Sequence, residues 1–181
     1  ALANEIDKMA SKTYLTNHPD VNLIVDDINN ISDELAKYEG VDLVFGGPPC
    51  QGFSVIGKMD PKDVRSQLIW SFLHAVEIIK PKAFVMENVK SLAYIKKWNP
   101  VKEEFLEKAN DLGYGCVPFI LNAAEHGTPQ KRERVFFIGI RNDYDFGDTM
   151  QMLLDKQKRK APVIRDLFKD LGPAGTSQNP K

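Results

Sequence analysis

Short apolar runs of strand length alternate along the chain with longer stretches of helical character. Residues 22–27 (NLIVDD), 41–47 (VDLVFGG), 83–89 (AFVMENV) and 135–141 (VFFIGIR) are compact and rich in β-branched or aromatic side chains, and they read as buried strands. Residues 115–121 are also strand-like. Helices are expected over about residues 7–17, 64–79 and 101–112, the last closing at Gly113, where a C-terminal glycine belongs. This βαβα rhythm predicts an α/β fold, an open and largely parallel sheet with helices on both faces. Ligands of such sheets bind outside the carboxyl ends of the strands, so the loops after Glu5, Asp27, Gly47 and Val89 are expected on one functional rim. There is no internal repeat. Past Ala161 the composition shifts to Pro, Gly, Ser and Asn, the mark of a linker.

The bulk numbers narrow the class. With 181 residues, 43% of them hydrophobic and 27% charged, the chain is one domain's worth of sequence with apolar material for a core. A net charge of −1 lacks the basic footprint of a nucleic-acid binder, so any such contact must come from local patches or from further parts of the protein. Two cysteines make neither a disulfide framework nor a zinc site, and no metal is expected. No apolar run approaches the roughly 18 residues of a membrane helix, and no leader pattern opens the chain. The expectation is a soluble protein of a reducing compartment without membrane contact.

Three segments carry candidate chemistry. The loop Gly46-Gly47-Pro48-Pro49-Cys50-Gln51-Gly52-Phe53-Ser54 leaves a predicted strand directly onto the rim. Glycines allow close backbone approach to a ligand and prolines stiffen the entry to the cysteine. A free cysteine is most often buried and inert, but this setting marks Cys50 as a nucleophile, whereas Cys116 in its apolar strand keeps the inert reading. At the end of the next strand stands Met86-Glu87-Asn88-Val89. A carboxyl closing an apolar strand needs a partner or a task; held partly out of water, it is suited to donating a proton. The bland alternative is an ion pair with a nearby Lys or Arg. The third segment, Thr128 to Arg134, runs into a strand, and period-2 alternation would send Gln130, Arg132 and Arg134 to one face and Lys131 and Glu133 to the other. Three polar arms on one face suit phosphate or base-edge contacts; a solvated charge run is the plain alternative.

In chain order, Pro48-Pro49-Cys50-Gln51, Glu87-Asn88-Val89 and Gln130-Lys131-Arg132-Glu133-Arg134 resemble motifs of the DNA cytosine-5 methyltransferases, bacterial type, and the resemblance covers about residues 1–141. It implies a Rossmann-like methyltransferase fold using S-adenosylmethionine, and double-stranded DNA as partner. Cys50 would add to carbon 6 of a flipped-out cytosine so that carbon 5 accepts a methyl group. Glu87 would protonate ring nitrogen 3, Arg134 would hold the ring carbonyl oxygen, and Arg132 would support the site. Glu5 is similar to the acid that holds the cofactor's ribose hydroxyls, and Asp27 and Ile28 to the pair at its adenine. Gly47, Pro48 and Leu68 complete the implied cofactor pocket; Pro49, Gln51, Ser54, Asn88, Val89 and Gln130 are implied at the substrate. Residues 51–62 are expected to act as a lid.

The family also has a glycine-rich first motif, which is expected before Ala1, and a target recognition domain, which is expected after Lys181. The implied layout is a partial catalytic domain over 1–160, incomplete at both ends, with 161–181 as linker or entry to the recognition domain. One version is half of a split enzyme completed by a second subunit, and this piece alone is not expected to turn over. The implied setting is a bacterial cytoplasm, in restriction protection or regulation. Three rivals stand beside this reading: a transfer-RNA cytosine-5 methyltransferase, a non-catalytic subunit of a split methyltransferase, and an α/β domain with another substrate.

Overall fold

The computed structural model describes residues 1–49, 67–144 and 149–169. Two parallel strands, β1 (Leu2–Asn4) and β2 (Asn22–Ile24), flank helix α1 (Lys8–Asn17), and their ladder runs from Leu2↔Asn22 to Asn4↔Ile24. Helix α1 starts where it does because Asp7 caps it, its carboxylate accepting from the Met9 and Ala10 amides at 2.8 and 2.7 Å. A short helix α2 (Ser32–Ala36) leads to the second sheet, built from β3 (Leu43–Gly46), β4 (Ala83–Val89), β5 (Tyr114–Asn122) and β6 (Glu133–Arg141) in the order β3-β4-β6-β5. Helix α3 (Leu68–Ile79) connects β3 to β4, while α4 (Ser91–Tyr94) and α5 (Asn99–Asp111) connect β4 to β5. Helices α6 (Thr149–Lys156) and α7 (Ile164–Leu167) follow.

The core lies between the four-stranded sheet and α3 to α5. Strand β4 alternates strictly, turning Phe84, Met86 and Asn88 inward. Phe84 and Met86 join Ile69, Phe72 and Val76 of α3, Phe105 of α5, and Val135 and Phe137 of β6 in one cluster. Each such buried large apolar side chain contributes about 1.5–3 kcal/mol relative to exposure. Gly139 faces Phe84 across the ladder, and a Cβ there would lie 2.1 Å from the Phe84 ring, so the aromatic packs directly onto bare backbone. A second cluster of Ile31, Leu35, Ala75 and Ile79 joins α2 and α3 and takes in Leu2, Ile24 and Val44, tying the small sheet to the large one. Helix α5 opens with Pro100 in its first turn and closes before Gly113, whose φ of +86° only glycine adopts without strain.

The α/β class stands, with a mixed sheet. Strands β3 and β4 are parallel, but β6 runs antiparallel to both β4 and β5. The reason lies in the connection: residues 123–132 return the chain by a turn, without the helical crossover that a parallel neighbour requires. The helix layer of α3 to α5 lies on one face; on the other, Leu43, Phe45 and Val117 are each more than half exposed. Among the described residues no helix is long and apolar enough to cross a membrane.

Candidate active site

The antiparallel direction of β6 builds the site. A parallel strand would have carried Arg134 to the opposite edge; running antiparallel, β6 begins where β4 ends, with Arg134 in register with Val89. Glu87 and Arg134 then share one face of the sheet as diagonal neighbours. Arg134 Nε lies 2.9 Å from Glu87 Oε1, both side chains being roughly a quarter exposed. Arg134 Nη1 also donates to the Glu133 carbonyl at 2.8 Å, which holds the guanidinium in orientation. The pair is neither an exposed surface bridge nor sealed, so a ligand arriving at the rim can reach both partners.

The loop leaving β3 passes over this pair. A Cβ on Gly47 would sit 3.5 Å from Glu87 Oε2, so the backbone runs alongside the carboxylate. Asn88, one residue on, faces the opposite way: it is 1% exposed, and its amide Nδ2 donates to the Pro48 carbonyl at 3.3 Å. Its Oδ1 accepts from the Val89 amide at 2.9 Å. Asn88, which the resemblance implies at the substrate, has its side chain on the Pro48 carbonyl of the loop leaving β3. Pro49 is exposed on that loop. Cys50, Gln51 and Ser54 lie outside the described residues, as does the lid expected over 51–62.

Gln130 and Arg132 are placed differently from the strand reading. The chain from Thr128 to Arg132 is irregular, with the Ala123 amide donating to the Arg132 carbonyl at 2.9 Å, and β6 begins only at Glu133. Period-2 alternation therefore holds for Glu133 and Arg134 but not for the residues before them, because Pro129 and the turn at 128–130 keep the segment out of the ladder. Both Gln130 and Arg132 are exposed near the rim. Unforeseen was a second pair across the same strand ends, Lys90 Nζ to Glu133 at 2.9 Å, with the Lys90 ammonium also 5.0 Å from the centre of the Tyr94 ring. The opposite faces read for Glu133 and Arg134 held the signal for it.

The remaining rim residues sit on the small sheet. Glu5 follows β1; its amide donates to the Ile24 carbonyl at 3.1 Å, and its Oε1 accepts from the Asp7 amide at 2.9 Å. Asp27 caps the turn at Ile28–Asn30, accepting from the Asn29 amide and side chain at 2.9 and 2.8 Å. Ile28 is partly buried against the second cluster. Each of the two carboxylates keeps one oxygen without a partner among the described residues. Asp27 and Ile28 are thus neighbours on one turn after β2, and Glu5 opens the loop after the adjacent strand β1. Leu68 opens α3, partly buried. Cys116 behaves as read: burial pushes its thiol up to about 12, leaving no thiolate at neutral pH.

Comparison with known proteins adds a family. The family model of C-5 cytosine-specific DNA methylases matches residues 1–179. The Type II methyltransferase M.DdeI of Desulfomicrobium norvegicum is 43% identical over 146 residues, which cover 78% of this chain and 35% of that protein. M.AquIA of a Picosynechococcus species, also a Type II methyltransferase, is 36% identical, with 96% of this chain and 80% of that protein covered. Among solved structures, an Escherichia coli prophage protein assigned as a DNA modification methyltransferase superposes with a TM-score of 0.75 at 28% identity, covering 96% of this chain and 49% of that one. The chain thus spans about a third to a half of several relatives it matches.

Proposed function

On the premise that the chain belongs to the C-5 cytosine-specific DNA methylase family, we propose that it carries the catalytic face of an enzyme that methylates carbon 5 of cytosine in duplex DNA. The observation that carries this reading is the Glu87–Arg134 pair at the rim, beside the backbone that leads into Cys50. One acid and one fixed cation side by side match the ring nitrogen and carbonyl oxygen of a cytosine that must gain charge together.

The bound cofactor, S-adenosylmethionine, supplies an electrophilic methyl group. Glu5, Asp27 and Ile28 would hold its ribosyl-purine end, with Gly47, Pro48 and Leu68 as further candidates for the same pocket. Cytosine carbon 5 is a poor nucleophile until the ring is activated. The Cys50 thiolate adds to carbon 6, forming the sulfur–carbon bond and pushing the ring electrons toward carbon 5 and nitrogen 3. Glu87 gives its proton to nitrogen 3, and Arg134 holds the carbonyl oxygen as negative charge develops there. In the free protein Arg134 is paired with the Glu87 carboxylate, so base entry requires the guanidinium to pass to the carbonyl oxygen and Glu87 to take up a proton from solvent before it can give one to nitrogen 3. Once the new methyl is in place, carbon 5 gives its proton to solvent, the carbon–sulfur bond breaks to restore the ring double bond and the thiolate, and nitrogen 3 returns its proton to Glu87.

Asn88 acts on the loop, holding the Pro48 carbonyl two residues before Cys50 in the sequence. Exposed Pro49, Gln130 and Arg132, with Gln51 and Ser54, remain candidates for contact with the flipped nucleotide and its phosphates. Partner segments or a second subunit supply the remaining DNA contacts, in keeping with the chain's net charge of −1. The setting proposed is a bacterial restriction–modification system in the cytoplasm.

The test is transfer of labelled methyl from S-adenosylmethionine to duplex DNA by the full-length protein, with transfer RNA in a parallel reaction. Label on cytosine carbon 5 of DNA, reduced about 10²–10⁴-fold by Glu87→Gln with cofactor affinity unchanged, supports the proposal. Label confined to RNA, or full activity in Glu87→Gln, overturns it.

A further inference from the structure

The two candidate cofactor loops leave strands of only three residues each, a short base from which to hold two binding groups in register. We propose that Asn4 is a positioning residue that fixes the Asp27–Ile28 loop against Glu5, and so sets the shape of the cofactor's ribosyl-purine site. Asn4 closes β1 opposite Ile24, immediately before Glu5. Its Nδ2 donates twice: to the Ile24 carbonyl at 3.2 Å and to the Asp26 carbonyl at 2.9 Å. Both partners are carbonyl oxygens, so only the amide nitrogen satisfies the geometry, and the orientation of the side chain is unambiguous.

The second bond is the informative one. The β1–β2 ladder ends at Ile24, with the Glu5 amide on the same Ile24 carbonyl. The Asn4 side chain reaches two residues farther and captures the backbone after β2 has ended. Asp26 in turn takes the Asp27 amide on its carboxylate at 2.6 Å and the Asn30 side chain at 3.0 Å, and Asp27 caps the turn that presents Ile28. A continuous set of short bonds thus runs from the residue before Glu5 to the turn carrying Asp27 and Ile28. One side chain thus ties the strand that carries Glu5 to the backbone that leads into Asp27 and Ile28. The inference rests on the cofactor reading of Glu5, Asp27 and Ile28 and adds the residue that holds them in place.

The experiment measures S-adenosylmethionine and adenosine affinity by calorimetry, with steady-state kinetics, on the full-length protein. Asn4→Asp keeps the size of the side chain but turns its two donors into an oxygen facing two carbonyls. Asn4→Ala removes the donors without adding charge, and decides the matter if the aspartate variant does not fold. Glu5→Gln and Asp27→Asn are measured alongside. The expected result is a Kd for both ligands raised about tenfold, consistent with loss of two neutral hydrogen bonds. The KM for S-adenosylmethionine rises equally, while kcat at saturating cofactor and the KM for DNA stay within twofold of the parent. Unchanged cofactor affinity in the Asn4 variants, with affinity lost in the Glu5 and Asp27 variants, overturns the role of Asn4 alone. Unchanged affinity in the Glu5 and Asp27 variants overturns the cofactor reading beneath it. A parallel fall in cofactor affinity, kcat and DNA affinity that follows thermal stability makes Asn4 merely structural and also overturns the proposal.

Discussion

Replacing Asn88 with alanine separates what the buried amide does for stability from what it does for chemistry. The side chain makes two bonds, to the Pro48 carbonyl at 3.3 Å and from the Val89 amide at 2.9 Å, at a position 1% exposed. Each neutral hydrogen bond contributes about 0.5–1.5 kcal/mol net, and a buried polar group left without a partner costs about 1–3 kcal/mol. Pro48 is only partly buried, so water can satisfy part of what is lost there. The expected destabilisation is therefore about 2–3 kcal/mol, a sizeable part of an ordinary domain's margin of about 5–15 kcal/mol. Strand β4 keeps its ladders to β3 and β6, so the fold survives.

The catalytic effect is larger than a proportional loss of folded protein. On the proposed reading the tie holds the backbone that precedes Cys50, and a displacement near 1 Å at a reacting group costs about 10²-fold in rate. The assay is single-turnover methyl transfer at saturating cofactor and DNA, at a temperature where urea denaturation shows the variant folded. A rate down about a hundredfold with unchanged cofactor Kd fits the reasoning. A folded variant with its parent's single-turnover rate refutes it, and Asn88 would then be a packing residue only.

Gly139→Ala is expected to damage the core without touching the site. Its Cβ would overlap the Phe84 ring, itself packed on Phe72, Phe105 and Tyr114, and such overpacking costs about 1–3 kcal/mol or more, read as a lower midpoint in urea. The Cys116 thiol, pushed up from 9.0 to about 12 by burial, should resist alkylation in the native protein at pH 8 and react only in denaturant, which mass spectrometry of the labelled peptide shows. The same shift has a sign in stability: the unfolded thiol ionises near pH 9 while the folded one stays neutral. Its contribution is complete below pH 9 and declines as pH rises toward 12, a decline that Cys116→Ala should remove from alkaline unfolding curves.

Much of this architecture was legible in the chain because burial writes itself into composition. The run at 83–89 is apolar on both its faces until Glu87, and it is a strand over those same residues. The helix before Gly113 ends where a left-handed glycine permits it to end. The direction of β6 was not legible, since alternation has the same period whichever way a strand runs. That direction decides the site, because only an antiparallel β6 brings Arg134 beside Glu87. Alternation was also carried too far back, over Gln130 and Arg132, where the turn at Pro129 overrides it. For Glu87 the functional and bland alternatives converge: the expected ion-pair partner is Arg134 itself. The resemblance implies Asn88 at the substrate; its burial, which the motif does not display, sets its side chain on the backbone of its own neighbours. The loop after β2 kept its secret too, because a side chain that bonds carbonyls across a strand end leaves no periodic trace.

The central claim is that Cys50, which follows the Gly47–Pro48 backbone beside Glu87 in the sequence, is the nucleophile toward cytosine in DNA. Incubation of the full-length protein with S-adenosylmethionine and duplex DNA containing 5-fluorocytosine tests it most directly, since fluorine at carbon 5 blocks release of the thiol. The account predicts a covalent protein–DNA adduct that survives denaturation, maps to the peptide containing Cys50, and is absent in Cys50→Ala. A folded, cofactor-binding protein that forms no adduct, or an adduct that persists in Cys50→Ala, contradicts it.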